Sequence, residues 1–195
     1  MRMMLCGTVV FAAAAALSLA GVQAETLSDK DRLARAVTEE ETLVFDSFDN
    51  DTALKLGLAM VKYAQEMKVP QTVFDIRRNG QILFRVALAG SSADNEYWVE
   101  AKIAIMQRFH VSSERKKLEF RAHMGSDWLK AYPNGGGDAV RFWNLSPLEA
   151  AGLVGGGFPI FVKGAGYIGT IVASGGPDDT DHDFVVAVLK KFLPK

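Results

Sequence analysis

The chain has 195 residues, 22 basic and 23 acidic side chains, a formal net charge of −1, and 49% hydrophobic residues with a single cysteine. That balance gives no electrostatic footprint for nucleic acid, and the length predicts one domain large enough to bury its own core. One cysteine, Cys6, excludes an internal disulfide and any cysteine-cluster metal site.

Residues 1–24 read as a signal peptide. Arg2 precedes an almost unbroken apolar run from Leu5 to Ala20, and Val22-Gln23-Ala24 supplies the small residues at which a signal peptidase cuts. The run falls short of the roughly 20 residues a bilayer span needs, and no stop-transfer pattern follows. Cys6 lies ahead of most of the apolar run, so it is not placed for lipid acylation. The expected mature chain is one domain, residues 25–195, starting at Glu25, exported to the periplasm or medium and free of the membrane after cleavage.

The polar stretch ETLSDKDRLARAVTEEE predicts one frayed helix, and LVFDSF is compatible with a short strand. Asp49-Asn50-Asp51 offers an N-cap to ALKLGLAMVKYAQEM, with Leu54, Leu58 and Val61 on the expected core face and Pro70 ending the helix. Thr72 to Arg77 and Gln81 to Leu88 flank Asn79-Gly80, a strong hairpin signal. Alternation of Val73, Asp75 and Arg77 with Phe74 and Ile76 predicts a half-solvated sheet.

NEYWVEAKIAIMQRFH reads as a second amphipathic helix with Trp98, Ala101, Ile105 and Phe109 on one stripe. Ser112-Ser113 caps a third, from Glu114 to about Met124. The segment Gly125 to Leu145 is irregular, and its aromatics Trp128, Tyr132, Phe142 and Trp143 suit a lip or a subunit contact. PLEAAGL suits a short helical turn, and DDTDHDFVVAVLKKFL an amphipathic helix.

GAGYIG, Gly164 to Gly169, matches G-x-G-x-x-G letter by letter. A pyrophosphate-binding turn must open a helix, whose N-terminus supplies the amides. Here β-branched TIVAS follows, closed by Gly175-Gly176-Pro177, so a β-hairpin is predicted and no nucleotide site. Gly164 and Gly166 then serve the turn, and Gly169 marks a bulge or a close backbone approach.

Certain residues suggest chemistry. Trp98 and Lys102 lie one helical turn apart and could bracket an anionic planar ligand, by stacking and by charge. The same spacing suits a core indole with the lysine stem laid over it. His182 stands among Asp178, Asp179, Asp181 and Asp183, where imidazole and carboxylates could hold a divalent ion. Acids at a helix start also cap free amides, and that reading is favoured because the spacing matches no metal loop. His110 and His123 are candidate axial ligands for a haem iron. Ser113 and Ser174 lack a nucleophile-elbow setting, and no catalytic residue is assigned.

FDNDTALKLG, FDIRRNGQILF, NEYWVEAK with RFHVSS, and GGGFPIFVKGAGYIGTIVASGGPDDTDHDFVV together resemble the haem-degrading-domain family (HbpS/GlcG-like), nearest to a bacterial and fungal branch of it. The resemblance runs from about Leu43 to Leu193 and implies a single α/β (α+β) domain. Its expected architecture is a profilin-like antiparallel sheet of about five strands flanked by helices. It also implies homo-oligomers and haem as a ligand. That branch usually carries histidine where this chain has Val154, and arginine where it has Ala101, so roles resting on those side chains do not carry over.

The ligand-binding candidates are therefore Trp98, Lys102, His110, Asp181 and His182. Two functions are expected: binding of a tetrapyrrole or similar planar anionic ligand, with haem breakdown left open, or a non-enzymatic oligomeric binding or scaffold module.

Overall fold

The computed structural model describes residues 27–124 and 143–194. The leader, residues 1–24, and the aromatics Trp128, Tyr132 and Phe142 lie outside the described residues. The described elements run α1 (Asp29–Thr42), α2 (Asn50–Met67), β1 (Val73–Arg78), β2 (Gln81–Ala87), α3 (Ala93–Phe109), α4 (Ser113–Met124), α5 (Pro147–Ala151), β3 (Gly157–Val162), β4 (Gly166–Ser174) and α6 (Asp178–Phe192).

The strands form one antiparallel sheet in the order β2-β1-β4-β3. The expected mixed α/β domain is present, with four described strands where about five were expected. LVFDSF does not become a fifth strand. Phe45 makes one parallel bridge to Val162, its N–H 2.9 Å from Phe161 O and its carbonyl 2.9 Å from Lys163 N. That bridge covers the β3 edge, where Pro159 is tolerated because an edge strand can spare an amide.

Local chemistry sets the element ends. Asp49 Oδ1 accepts the Thr52 N–H at 2.7 Å to start α2, and Lys68 closes it in the left-handed region at φ 50°. Asn79 and Gly80, at φ 49° and 83°, form the tight turn between β1 and β2. GAGYIG is the β3–β4 hairpin, with Gly164 and Gly166 both at φ 76°. A Cβ on Gly169 would sit 2.0 Å from Arg77 O across the sheet, so that glycine lets two strands meet rather than a phosphate bind.

Helices cover both faces. On one, Phe74, Ile76, Phe158, Ile160, Ile171 and Ala173 pack against α2 and α6. The buried side of α2 is Ala53, Leu56, Met60 and Ala64, which corrects the expected face: Leu54 and Leu58 are 49% and 56% exposed. Gly57 decides the rotation, since a Cβ there would lie 2.3 Å from the Phe84 ring; α2 sits on the sheet at this glycine.

On the other face, Val73 and Val172 meet Val99, Ile103, Ile105 and Met106, all four from α3. The predicted half-solvated sheet is corrected here, because α3 covers the polar side of β1. Asp75 is fully buried, and Arg77 Nε and Arg85 Nη1 each donate to it at 2.9 Å. Burial still pushes its carboxyl above the ordinary range, against the pull of both guanidiniums.

Candidate functional site

One turn of α3 and the first turn of α6 meet over the end of β4. Lys102, though a lysine, is 2% exposed. Its Nζ donates to Asp181 Oδ2 and to the Ala173 carbonyl, both at 2.8 Å. Asp181 Oδ1 accepts from the Gly176 N–H at 2.9 Å and from Gln71 Nε2 at 3.1 Å. Both carboxylate oxygens are thus engaged. Burial nonetheless raises the Asp181 carboxyl above its ordinary value, with Lys102 opposing that rise.

Glycines make room for this pair. Gly156 has φ 106°, and a Cβ there would lie 2.6 Å from Ala173 O and 2.8 Å from Lys102 Nζ. Gly176 approaches Gln71 Nε2 in the same way, at 2.2 Å from its would-be Cβ. The two glycine runs of the sequence therefore let backbone close around a buried ammonium–carboxylate pair.

Above the pair opens a cleft of about 320 Å³, walled by Trp98, Asp94, Asn95, Val154 and Ser174 with glycines 155, 175 and 176. Trp98 is half-buried at the rim, and its Nε1–H donates to Asp94 Oδ2 at 2.8 Å, which fixes the indole plane. Tyr97 meets it edge-on, with centroids 5.7 Å apart. The helical-turn spacing of Trp98 and Lys102 thus puts both in one cleft, the indole at the lip and the lysine at the floor. Val154 gives this wall a hydrocarbon surface.

The remaining candidates lie elsewhere. His182 faces away from the cleft; its Nε2 is 3.1 Å from Glu39 Oε2 of α1, and its buried Nδ1 finds no partner among the described residues. His110 is the C-cap of α3, at φ 55°, and stacks on Tyr167 at 4.2 Å. Burial pushes the Tyr167 hydroxyl up to about 12. His123 is exposed in the last turn of α4.

Among the described residues no cluster of three or more His, Cys, Asp or Glu could hold a metal ion. The N-cap of α6 is Pro177, without a side-chain hydrogen bond, where an acidic cap was expected, although Asp181 accepts the Gly176 amide just ahead of it. Asp179 and Asp183 instead bind Arg32 and Arg35 of α1, and Asp181 binds Lys102.

Glu39 and Asp94 are not among the sequence candidates, and Ser174, weighed there only as a nucleophile, lines the cleft. Asp94 carried a signal, standing four residues before Trp98 on one helical face. Glu39 carried none, because its partner His182 is 143 residues away.

The model of the family described as haem degrading protein HbpS-like matches residues 48–190, and the chain belongs to that family. It is 36% identical over 155 residues to a UPF0303 protein of Streptomyces coelicolor, covering 80% of this chain and 89% of the relative. The fold resembles the crystal structure of the Ybr137w protein, with TM-score 0.67 and 22% identity over 82% of this chain and 86% of the other. It also resembles a PduOC:heme complex, with TM-score 0.54 and 16% identity over 75% and 95%.

Proposed function

We propose that this protein binds a planar ring ligand of the tetrapyrrole class at the Trp98–Lys102 cleft. The observation that carries the reading is the cleft itself: an oriented indole beside a hydrocarbon wall, over a buried polar floor. Membership of the haem-degrading family and the haem of a structural neighbour, the PduOC:heme complex, support it.

The lining fits the ring better than the iron. None of its described lining residues carries an imidazole, thioether, thiolate or phenolate, the usual axial ligands of haem iron. At about 320 Å³ the cleft is near the low end of ligand pockets, roughly 300–1,000 Å³, and suits one edge of a macrocycle. Asp181 already neutralises Lys102, and Asp94 stands at the rim, so ligand carboxylates gain little net attraction. Stacking and burial carry the affinity, which should vary little with salt.

Titration of the protein with haemin and with iron-free protoporphyrin IX tests this. Both should bind saturably and within a few-fold of each other, and Trp98→Ala should weaken both by about 3–10-fold, the worth of one aromatic contact. Absence of saturable binding, or affinity indifferent to Trp98→Ala, overturns the reading.

The scaffold reading has its own support. Leu54 and Leu58 stand exposed on α2, and β2 is an edge strand, an arrangement suited to contact with a second copy. A monomer at micromolar concentration in light scattering would exclude a homo-oligomer. Export rests on the leader pattern, and N-terminal sequencing of secreted or periplasmic protein should begin at Glu25.

A further inference from the structure

α1 lies ahead of the matched family region and adds no side chain to either described hydrophobic cluster. Its attachment is ionic. Arg32 Nη1 donates to Asp179 Oδ2 at 2.6 Å, and Arg32 also pairs with buried Glu114. Arg35 Nη2 donates to Asp183 Oδ1 at 2.7 Å. Glu39 accepts from Lys190 Nζ at 3.1 Å and meets His182 at the same distance. Glu40 accepts the Ser112 N–H at 2.8 Å and Arg115 Nη1 at 2.9 Å.

Three of these partners, Asp179, His182 and Asp183, belong to the opening turns of α6. Between them stands Asp181, which holds Lys102 and the Gly176 amide at the cleft floor. One helical segment thus shows one side to α1 and the other to the cleft. His182 is the most deeply buried of the links: it is 1% exposed, and Glu39 is its one described hydrogen-bond partner.

We propose that α1 is a positioning element for the ligand cleft, its Arg32, Arg35 and Glu39 fixing the start of α6 so that Asp181 holds Lys102 and the 175–176 glycine turn in their binding arrangement. The proposal rests on the cleft being the ligand site. It makes Glu39 a positioning residue, since it reaches the cleft through His182 and the neighbouring Asp181 and touches no cleft residue itself.

The test combines hydrogen exchange with protoporphyrin IX titration on the full chain. In Glu39→Ala, amides of residues 175–183 should exchange about tenfold faster and the Kd should rise about tenfold, within the 5–150-fold range of coupled sites. Glu39→Gln, which keeps a hydrogen-bonding partner for His182, should restore most of both. Amides of α2 should stay at the wild-type rate, which separates positioning from general loosening.

Arg35→Ala removes the pair with exposed Asp183 and a longer 3.9 Å contact with Glu39; it should move both readouts in the same direction by about 2–3-fold. Faster exchange confined to residues 29–42, with 175–183 and the affinity unchanged, overturns the proposal. So does an affinity loss in Glu39→Ala that Glu39→Gln does not recover. If wild-type protein binds neither porphyrin, the cleft reading fails, and exchange at 175–183 by itself upholds or overturns the coupling of α1 to α6.

Discussion

α1 and α2 precede the first strand side by side in the chain, yet they attach by opposite means. α2 buries Ala53, Leu56, Gly57, Met60 and Ala64 against the sheet. α1 buries Ala36, Glu39 and Glu40, and docks through arginines and carboxylates onto α4 and α6. Apolar contact is non-directional and nearly indifferent to pH or salt. An ionic dock is directional, and its strength depends on both. The body of the protein is therefore fixed, while the strip that covers the start of α6 is adjustable.

Removing the anchor of α2 should have the largest effect. Leu56→Ala should cost about 2–5 kcal/mol, because Leu56 is fully buried and the rigid sheet below cannot collapse into the space. Chemical denaturation would show it as a lower midpoint with an unchanged slope. On α1, Glu39→Ala should cost about 1–3 kcal/mol, the penalty for leaving buried His182 without its acceptor. If the loss equals that of Leu56→Ala, the two helices do not differ as described.

Acid should separate them next. Hydrogen bonds from Arg32, aided by Lys117, hold Asp179 at about 2, below the ordinary 3.8. Burial alone would raise Glu39, but His182 and Lys190 outweigh it and hold its carboxyl below the usual range. Both depressed groups give stability that is present above the unfolded values and lost as the pH falls through the folded ones. Asp75 and Asp181 have raised values and the opposite sign, so the sheet face gains relative to the α1 seam on acidification. Pepsin at about pH 2 should therefore cut within residues 29–42 before it reaches 50–67. The smallest effect belongs to Leu58→Ala, which should change stability by less than about 0.5 kcal/mol because that side chain is 56% exposed.

Much of the fold was legible because its signals are local. Asn79-Gly80 announced the first hairpin, Asp49 the start of α2, and the β-branched residues after Gly169 the second hairpin. Which side of α2 faces inward was not legible. Leu54/Leu58 and Leu56/Met60 are both plausible apolar stripes, and the choice is made by Gly57 against Phe84, a contact between distant residues. Burial of Asp75 was hidden for the same reason: alternation reports that one side of a strand is polar, not that α3 will cover it.

At the cleft, the Trp98–Lys102 spacing on α3 was readable in advance. The partner of Lys102 was not, because Asp181 lies 79 residues away and its neighbours in sequence look like an acidic cap. Dense charge near a helix start reads as capping unless the far partners are known.

GAGYIG has a consequence for how this chain can vary. Gly164 and Gly166 are left-handed with open space around them, so asparagine or aspartate, which tolerate that conformation, can replace them at modest cost. Gly169 has ordinary backbone angles and no space at all, since Arg77 O already occupies the position of any Cβ. The first two glycines are a preference of the turn, and the third is an exclusion imposed by a neighbouring strand. A lineage descending from this chain would drift away from the nucleotide-like spelling at its first two letters and keep the last.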